Sequence, residues 1–470
     1  MHEGRNVRVD RCSYPLASSQ ISAILFFFLI AAFFVFLAVP SALLGQALVP
    51  NPVPFVSQPL IPDTAAPGGA QFTLTVNGTG FSGGATVYWN GAALATTVVS
   101  ASQVEATVPA TDIAVAGTAS VTVVNPTPGG GVSNVVFFPV RTAVASVTFA
   151  NAKSSPYPTG GADETFAVGD FNGDGRPDLA VANYIGNNLA IFLSNGDGTF
   201  TAASSFPATG SQPFPMAVGD FNRDGNLDLA VGNTGANNLT ILLGNGDGTF
   251  TASSSTPSTG VYPNSVVAGD FNADGILDLA AANEGSHSVT VLIGNGDGTF
   301  TASASSPGTG TTPYSMAVGD FNGDGKLDLA VANEGSNTLT ILLGNGDGTF
   351  TATASSPATG SAPVSVVAGD FNGDGKLDLA VANLNSSDLT ILIGDGQGAF
   401  TATTTSPVTS TSPFSLAVGD FNGDGTLDLA VGHNGGLNAD ILLGDGQGNF
   451  SANRTSPATG TSPLGVAIGD

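Results

Sequence analysis

The 470-residue chain contains one cysteine, three histidines, one tryptophan and only 10 Lys plus Arg. Each scarcity removes a class of function. A Cys/His zinc site or a cysteine nucleophile with its partners is hard to build from one Cys and three His. Ten basic residues against 36 acidic ones give a formal charge of −26. Nucleic acid is thereby excluded as a partner, because a phosphate backbone demands a basic surface. What is abundant is Gly (64), Pro (28) and Phe (29), with 42% hydrophobic and only 10% charged residues. That balance is too apolar for an acidic disordered polymer, so the chain folds. Its length allows about two to four domains.

Arg5, Arg8 and Arg11 precede an uncharged apolar run from Ile21 to Val39, and the small residues Gly45-Gln46-Ala47 follow before a Pro-rich stretch. This is the order of an export signal, residues 1–47, cleaved near Ala47. The alternative is an uncleaved membrane anchor, since the run is just long enough to span a bilayer. Cys12 lies in the leader, so the processed chain is free of cysteine and owes nothing to disulfides. Processing also removes Glu3 and Asp10, leaving 7 basic and 34 acidic residues, a balance of −27. An exported chain without disulfides needs another stabiliser.

The acidic residues are not evenly spread. Gly-Asp-Phe-Asn recurs with its Asp at 170, 220, 270, 320, 370 and 420, a strict period of 50 residues. In the fourth unit Ser315–Gly319, Leu329–Asn333 and Leu339–Leu343 are short apolar runs, and a further run begins at Thr349. Polar or Gly-rich turns separate them, including Gly344-Asn345-Gly346-Asp347-Gly348. Such runs are β-strands joined by tight turns, and no stretch is free enough of Gly for a helix. Four strands per unit at this period predict an all-β fold, a β-propeller of four-stranded blades. An open β-solenoid is the alternative.

Six units are complete, and a partial seventh is expected. Val147-Thr148-Phe149-Ala150 and Ser154-Ser155-Pro156 match a fourth strand and its exit, whereas Pro463 to Asp470 matches a first strand. A seven-bladed ring whose last blade mixes strands from both ends, truncated at the C-terminus, is therefore expected. A six-bladed ring with a spare strand is the other reading.

The nine-residue loop Asp170-Phe171-Asn172-Gly173-Asp174-Gly175-Arg176-Pro177-Asp178 keeps Asp, Asn, Asp, Gly and Asp at positions 1, 3, 5, 6 and 9 in every copy. Oxygen-bearing side chains at alternate positions of a tight loop suit a hard cation, Ca²⁺, and the Gly at position 6 permits the sharp turn. With neither thiol nor imidazole present, zinc and copper are disfavoured. The expected ligands of the first loop are the side chains of Asp170, Asn172, Asp174 and Asp178 with the carbonyl of Arg176. Those of the second and third are Asp220, Asn222, Asp224, Asn226 and Asp228, then Asp270, Asn272, Asp274, Ile276 and Asp278. The fourth and fifth offer Asp320, Asn322, Asp324, Lys326 and Asp328, then Asp370, Asn372, Asp374, Lys376 and Asp378. The sixth offers Asp420, Asn422, Asp424, Thr426 and Asp428. About one Ca²⁺ per complete blade, six in all, would bring −27 to −15. Plain turn chemistry is the competing explanation of each loop. It is not an EF-hand, because position 12 is Val181 and strand follows. The second turn, Asn195-Gly196-Asp197-Gly198, loses its Asp and gains one at its first position in the last two units, and reads as hairpin geometry.

The unit Val-Gly-Asp-Phe-Asn-Gly-Asp-Gly-Lys-Leu-Asp-Leu-Ala-Val-Ala-Asn, with Leu-Leu-Gly-Asn-Gly-Asp-Gly-Thr-Phe after it, resembles the FG-GAP/VCBS repeat of integrin α-subunit propellers and many exported bacterial proteins. The resemblance covers residues 143–470 and implies a calcium-stabilised propeller, with the cation between the first and second strands of a blade. Asn at position 3, where integrin loops often carry Asp, bears on affinity. Upstream, residues 48–142 carry alternating runs at Phe72–Val76, Ala85–Trp89, Val104–Val108 and Ala119–Val124. Gly78-Thr79-Gly80-Phe81 with Trp89-Asn90-Gly91 resembles the IPT/TIG domain, which implies an immunoglobulin-like β-sandwich serving as spacer or interaction module. Trp89 is expected in its core.

Departures from the repeat are few. His287, His433, Glu284 and Glu334 read as polar surface substitutions. Phe166, Phe214, Tyr314 and Phe414 lie near the inner-strand entrances, either as an aromatic rim for sugar or peptide or as packing between blades. The resulting expectation is a secreted or cell-surface binding or adhesion module for a protein or polysaccharide, with no catalytic residues. A membrane would be met only through the uncleaved signal or a later anchor. The alternative is a carbohydrate-active enzyme, a polysaccharide lyase or glycosidase, on the same scaffold. A purely structural matrix component is a third.

Overall fold

The computed structural model describes residues 49–144, 163–204, 206–453, 459 and 463–468. The expected signal segment, Cys12, the run at 147–156 and Asp470 lie outside them. Among the described residues every regular element is a strand, apart from a single 3-10 turn at Glu284–Ser286.

The first region is a β-sandwich. One sheet pairs β1 (Phe55–Val56), β2 (Phe72–Thr79), β6 (Gln103–Val108) and β5 (Ala95–Ser100) in that order. The other runs β4 (Ala92–Ala93), β3 (Thr86–Trp89), β7 (Gly117–Asn125), β8 (Gly131–Val132), with β9 (Val136–Val140) also on β7. Alternate residues of β2 and β7 are buried, which puts one face of each sheet against the other. Leu74, Val87, Trp89, Val121 and Phe138 fill the core, with the Trp89 and Phe138 rings 5.0 Å apart.

Among the described residues the second region holds six four-stranded antiparallel sheets, each in chain order. The first blade is β10 (Asp163–Gly169), β11 (Asp178–Asn183), β12 (Asn188–Ser194) and β13 (Phe200–Ala202), and the rest repeat it. First strands of successive blades pack side by side, which makes them the inner strands of a propeller. Second strands such as Asp228–Asn233 are buried along their whole length, because a blade meets a neighbour on each face.

Three devices recur between blades. The loop Phe at position 2 meets the fourth-strand Phe of the next blade edge-on, from Phe171–Phe250 to Phe371–Phe450, at 5.4 to 5.7 Å between centroids. The Gly-rich turn donates a backbone N–H to that same loop Phe carbonyl, as Gly248 does to Phe171 and Gly448 to Phe371. Inner-strand serines accept an N–H from the following inner strand, as Ser265 does from Met316 and Ser365 from Leu416. The last device extends to the chain's end: Val466 donates to Ser415 at 3.0 Å, and Gly465 lies against the Phe166 ring. Residues 463–468 thus hold the inner-strand place between the sixth and first blades, without pairing into a sheet of their own. A cavity of about 640 Å³ lies there, lined by Phe166, Leu179, Phe421, Ile441 and, from the sandwich, Phe137 and Arg141.

Candidate metal centre

Each nine-residue loop joins the first and second strands of a blade. In the first, Asp170 accepts N–H bonds from Asp174 and Gly175, Asn172 Oδ1 from Asp174, and Asp174 Oδ1 from Arg176. The other loops repeat the pattern, so the short acidic side chains wrap the turn around themselves. Position 4 is left-handed in all six. It is Gly in four, but Arg223 and Ala273 adopt φ of 63° and 59° in the second and third.

The position-9 carboxylates are the deepest. Asp178, Asp228, Asp278, Asp328, Asp378 and Asp428 are fully buried. One oxygen accepts the position-2 N–H and the other the N–H at the end of the third strand, at 2.7 to 3.0 Å. Burial pushes them up, to about 6 for Asp178 and Asp228, about 7 for Asp328, Asp378 and Asp428, and about 8 for Asp278. The N–H bonds oppose this, and the charges at positions 1 and 5 add to it. Compensating cations are sparse. Arg176, Lys326 and Lys376 at position 7 approach the position-5 carboxylates at 3.5 to 3.6 Å, all solvent-exposed, and Asn226, Ile276 and Thr426 hold that place elsewhere.

Among the described residues no three acidic or imidazole side chains are already gathered on one point as a metal cluster would be. The donor set nevertheless fits a hard cation: it is all oxygen, one carboxylate of each loop is buried with two others near enough to raise its pKa, and an oxygen accepting one N–H keeps a second lone pair.

The sandwich reaches this loop face. Val53 donates its N–H to Asp270 Oδ2 at 2.8 Å, Gln58 O accepts from Asp370 N, and Gly129 O accepts from the Arg223 guanidinium. At the sixth loop Val144 N–H bonds Asn422 O, and Asp420 and Asn422 are only 6% and 3% exposed. Burial, and then the charge of Asp420, push Asp63 of the sandwich up to about 6. Sequence reasoning missed Val53, Asp63 and Arg141. They lie outside the repeat, and no spacing announces them.

Departures from the repeat resolve differently. His287 is exposed in a left-handed turn and accepts the Thr312 N–H, as Asn187 and Asn237 accept those of Gln212 and Tyr262. His433 is not on the surface, contrary to expectation. It is fully buried where other blades bury Asn, with Nε2 3.1 Å from Asp440. Asp440 replaces the Thr that partners Asn233 at Thr240. Burial works against the Asp440 charge, but His433 and Ser410 hold it down at about 2. Phe214, Tyr314 and Phe414 pack against one another from alternate blades and, with Phe166, line a pocket among the inner strands. Their rings meet in series, at 6.3 and 5.9 Å, in the channel lined by the inner strands. The second Gly-rich turn is a turn: Asp247 accepts from the backbone and hydroxyl of its own Thr249, which lowers its pKa.

The family model described as FG-GAP-like repeat matches residues 170–231, 220–281, 270–331, 320–381 and 370–431, and that of the IPT/TIG domain matches 56–139. No curated protein matches the sequence. Solved structures with a similar course include a functionally unknown protein from Desulfotomaculum acetoxidans, 12% identical, with 73% of this chain and 94% of that one covered at a TM-score of 0.47. A periplasmic gluconolactonase of Pseudomonas aeruginosa is 17% identical over 73% and 93%, at 0.45. A catalytically inactive virginiamycin B lyase of Staphylococcus aureus is 16% identical over 65% and 89%, at 0.43. At that level of likeness none of them assigns an activity.

Proposed function

The chain belongs to the FG-GAP-like repeat proteins, and on that premise we propose that it is an exported calcium-binding propeller acting as an extracellular binding or adhesion module for a protein or carbohydrate. The observation that carries this reading is the set of six fully buried position-9 carboxylates. Each lies near enough to two further carboxylates for their charge to push it up, and three of the loops have no basic residue at position 7. In an uncharged setting such a group would be protonated or paired. Calcium would supply the missing charge, held by positions 1, 3, 5 and 9 and the position-7 carbonyl.

Thermal unfolding in millimolar Ca²⁺ and in EGTA tests the metal. A calcium-dependent rise in Tm supports the reading, and an unchanged Tm removes its physical basis. Glycan and peptide arrays probed in calcium test the module. Binding without product formation is expected, and turnover of a bound polysaccharide would place the chain among enzymes instead.

A further inference from the structure

The sandwich approaches two loops with opposite chemistry. At the third it brings a donor, the Val53 N–H, to Asp270 Oδ2. At the sixth it brings another acid. A β-carbon on Gly425 would stand 3.5 Å from Asp63 Oδ1, so this carboxyl lies directly against the loop, and its Oδ2 is buried with no hydrogen-bond partner. Asp420 and Asn422 are buried beneath the same contact. Arg141 packs its stem and Nε on Gly423, and its charge favours the ionised forms of Asp63 and Asp420. A donor over a carboxylate completes a hydrogen bond. Asp63 over Asp420, Asp424 and Asp428 sets four carboxylates against one guanidinium, an excess of negative charge that a further cation would balance.

We propose that Asp63 is a ligand lent by the sandwich to the sixth loop, so that a calcium ion there binds the two domains together. The proposal rests on the calcium reading of the loops. It makes the sixth site different in kind from the exposed fourth, whose loop sequence differs only at position 7, where Lys326 replaces Thr426. Four side-chain carboxylates and an amide would surround the ion instead of three and an amide, in a site closed to water on one side.

The full chain contains a single tryptophan, Trp89, which is buried in the sandwich core. Its fluorescence therefore reports unfolding of the sandwich. In wild type, calcium should raise the Trp89 transition. Asp63→Asn removes a repelling charge in metal-free protein and a ligand in loaded protein, so its effect should change sign. The variant should unfold at the same or a higher temperature than wild type in EGTA and at a lower one in calcium. Calorimetric titration with Ca²⁺ should show one site in six weakened by about tenfold or more. Asp320→Asn, in the exposed fourth loop, should leave the Trp89 transition in place. If Asp63→Asn lowers the transition equally in both conditions, Asp63 is a packing residue and the proposal falls while the calcium reading stands. If wild type takes up no calcium, the underlying reading falls with it.

Discussion

The fourth and sixth loops share eight of nine residues, yet one is open to solvent and the other lies under a second domain. Gly323 to Lys326 are exposed, whereas Asp420, Asn422 and Gly423 are buried against Arg141 and Asp63. Both hold the position-9 carboxylate between a Phe N–H and a Gly N–H, but the sixth adds bonds from Asn422 Nδ2 to Asp424 and from the Thr426 hydroxyl to Asp424 and the Gly444 carbonyl. Shared sequence therefore sets the shared turn and the place of the position-9 carboxylate, while position 7 and the covering domain set the chemistry offered to a ligand.

The largest effect expected is from removing the metal everywhere. At tenfold excess over Kd each site contributes about 1.4 kcal/mol, so six contribute about 8. EGTA should lower Tm on the order of 10 °C or more, measured by calorimetry. If the two loops differ as described, the exposed sites should empty first in a chelator titration.

The next comparison is packing. Phe321 is buried and edge-on to Phe400 at 5.6 Å, whereas Phe421 is half-buried and pairs with no ring among the described residues. Phe321→Ala should cost about 3 to 5 kcal/mol and Phe421→Ala clearly less, as read by denaturant midpoints. Equal costs would mean that Phe421 has an equivalent wall.

Protonation separates the loops further. The position-9 acids titrate at about 6 to 8 in the folded chain, against 3.8 for an unperturbed Asp. The folded state then binds the proton more tightly. The stability they contribute is intact below about pH 4 and is lost as pH rises through 6 to 8. In EGTA, Tm should fall between pH 5 and pH 8, and calcium should abolish the fall. The covered third loop, with Asp278 at about 8, should be the last to ionise, and carboxyl NMR shifts would show it.

The smallest effect expected is at position 7. The Lys326–Asp324 pair spans 3.5 Å between exposed side chains. Lys326→Thr, which gives the fourth loop the sixth loop's residue, should change stability by about 0.5 kcal/mol or less. A larger change would place the difference between the loops in their own sequence.

Much of this was legible in the residues themselves. The 50-residue period and its Gly/Asn/Asp punctuation dictate strand, turn and blade, because each apolar run is only long enough for a strand. The alternation of Phe72–Val76 and Ala119–Val124 likewise marks one buried face per sheet. What escaped were contacts between distant segments. Nothing near Asp63 declares that it will lie on a loop more than 350 residues away. His433 looked like surface because Asn, which it replaces, is usually exposed, whereas here the Asn sites are buried and hydrogen-bonded. The aromatic side chains Phe214, Tyr314 and Phe414 meet only because alternate blades face one another across the axis.

Each junction between consecutive blades is assembled from the same Gly N–H, the same Phe carbonyl and the same ring pair. A gene could therefore gain or lose whole units by unequal recombination and leave every surviving junction intact. The sandwich limits that freedom. Its hold on Asp270 and on the Gly425 turn fixes how many units separate the third loop from the sixth. Lineages should vary in unit number outside that interval and keep the count within it.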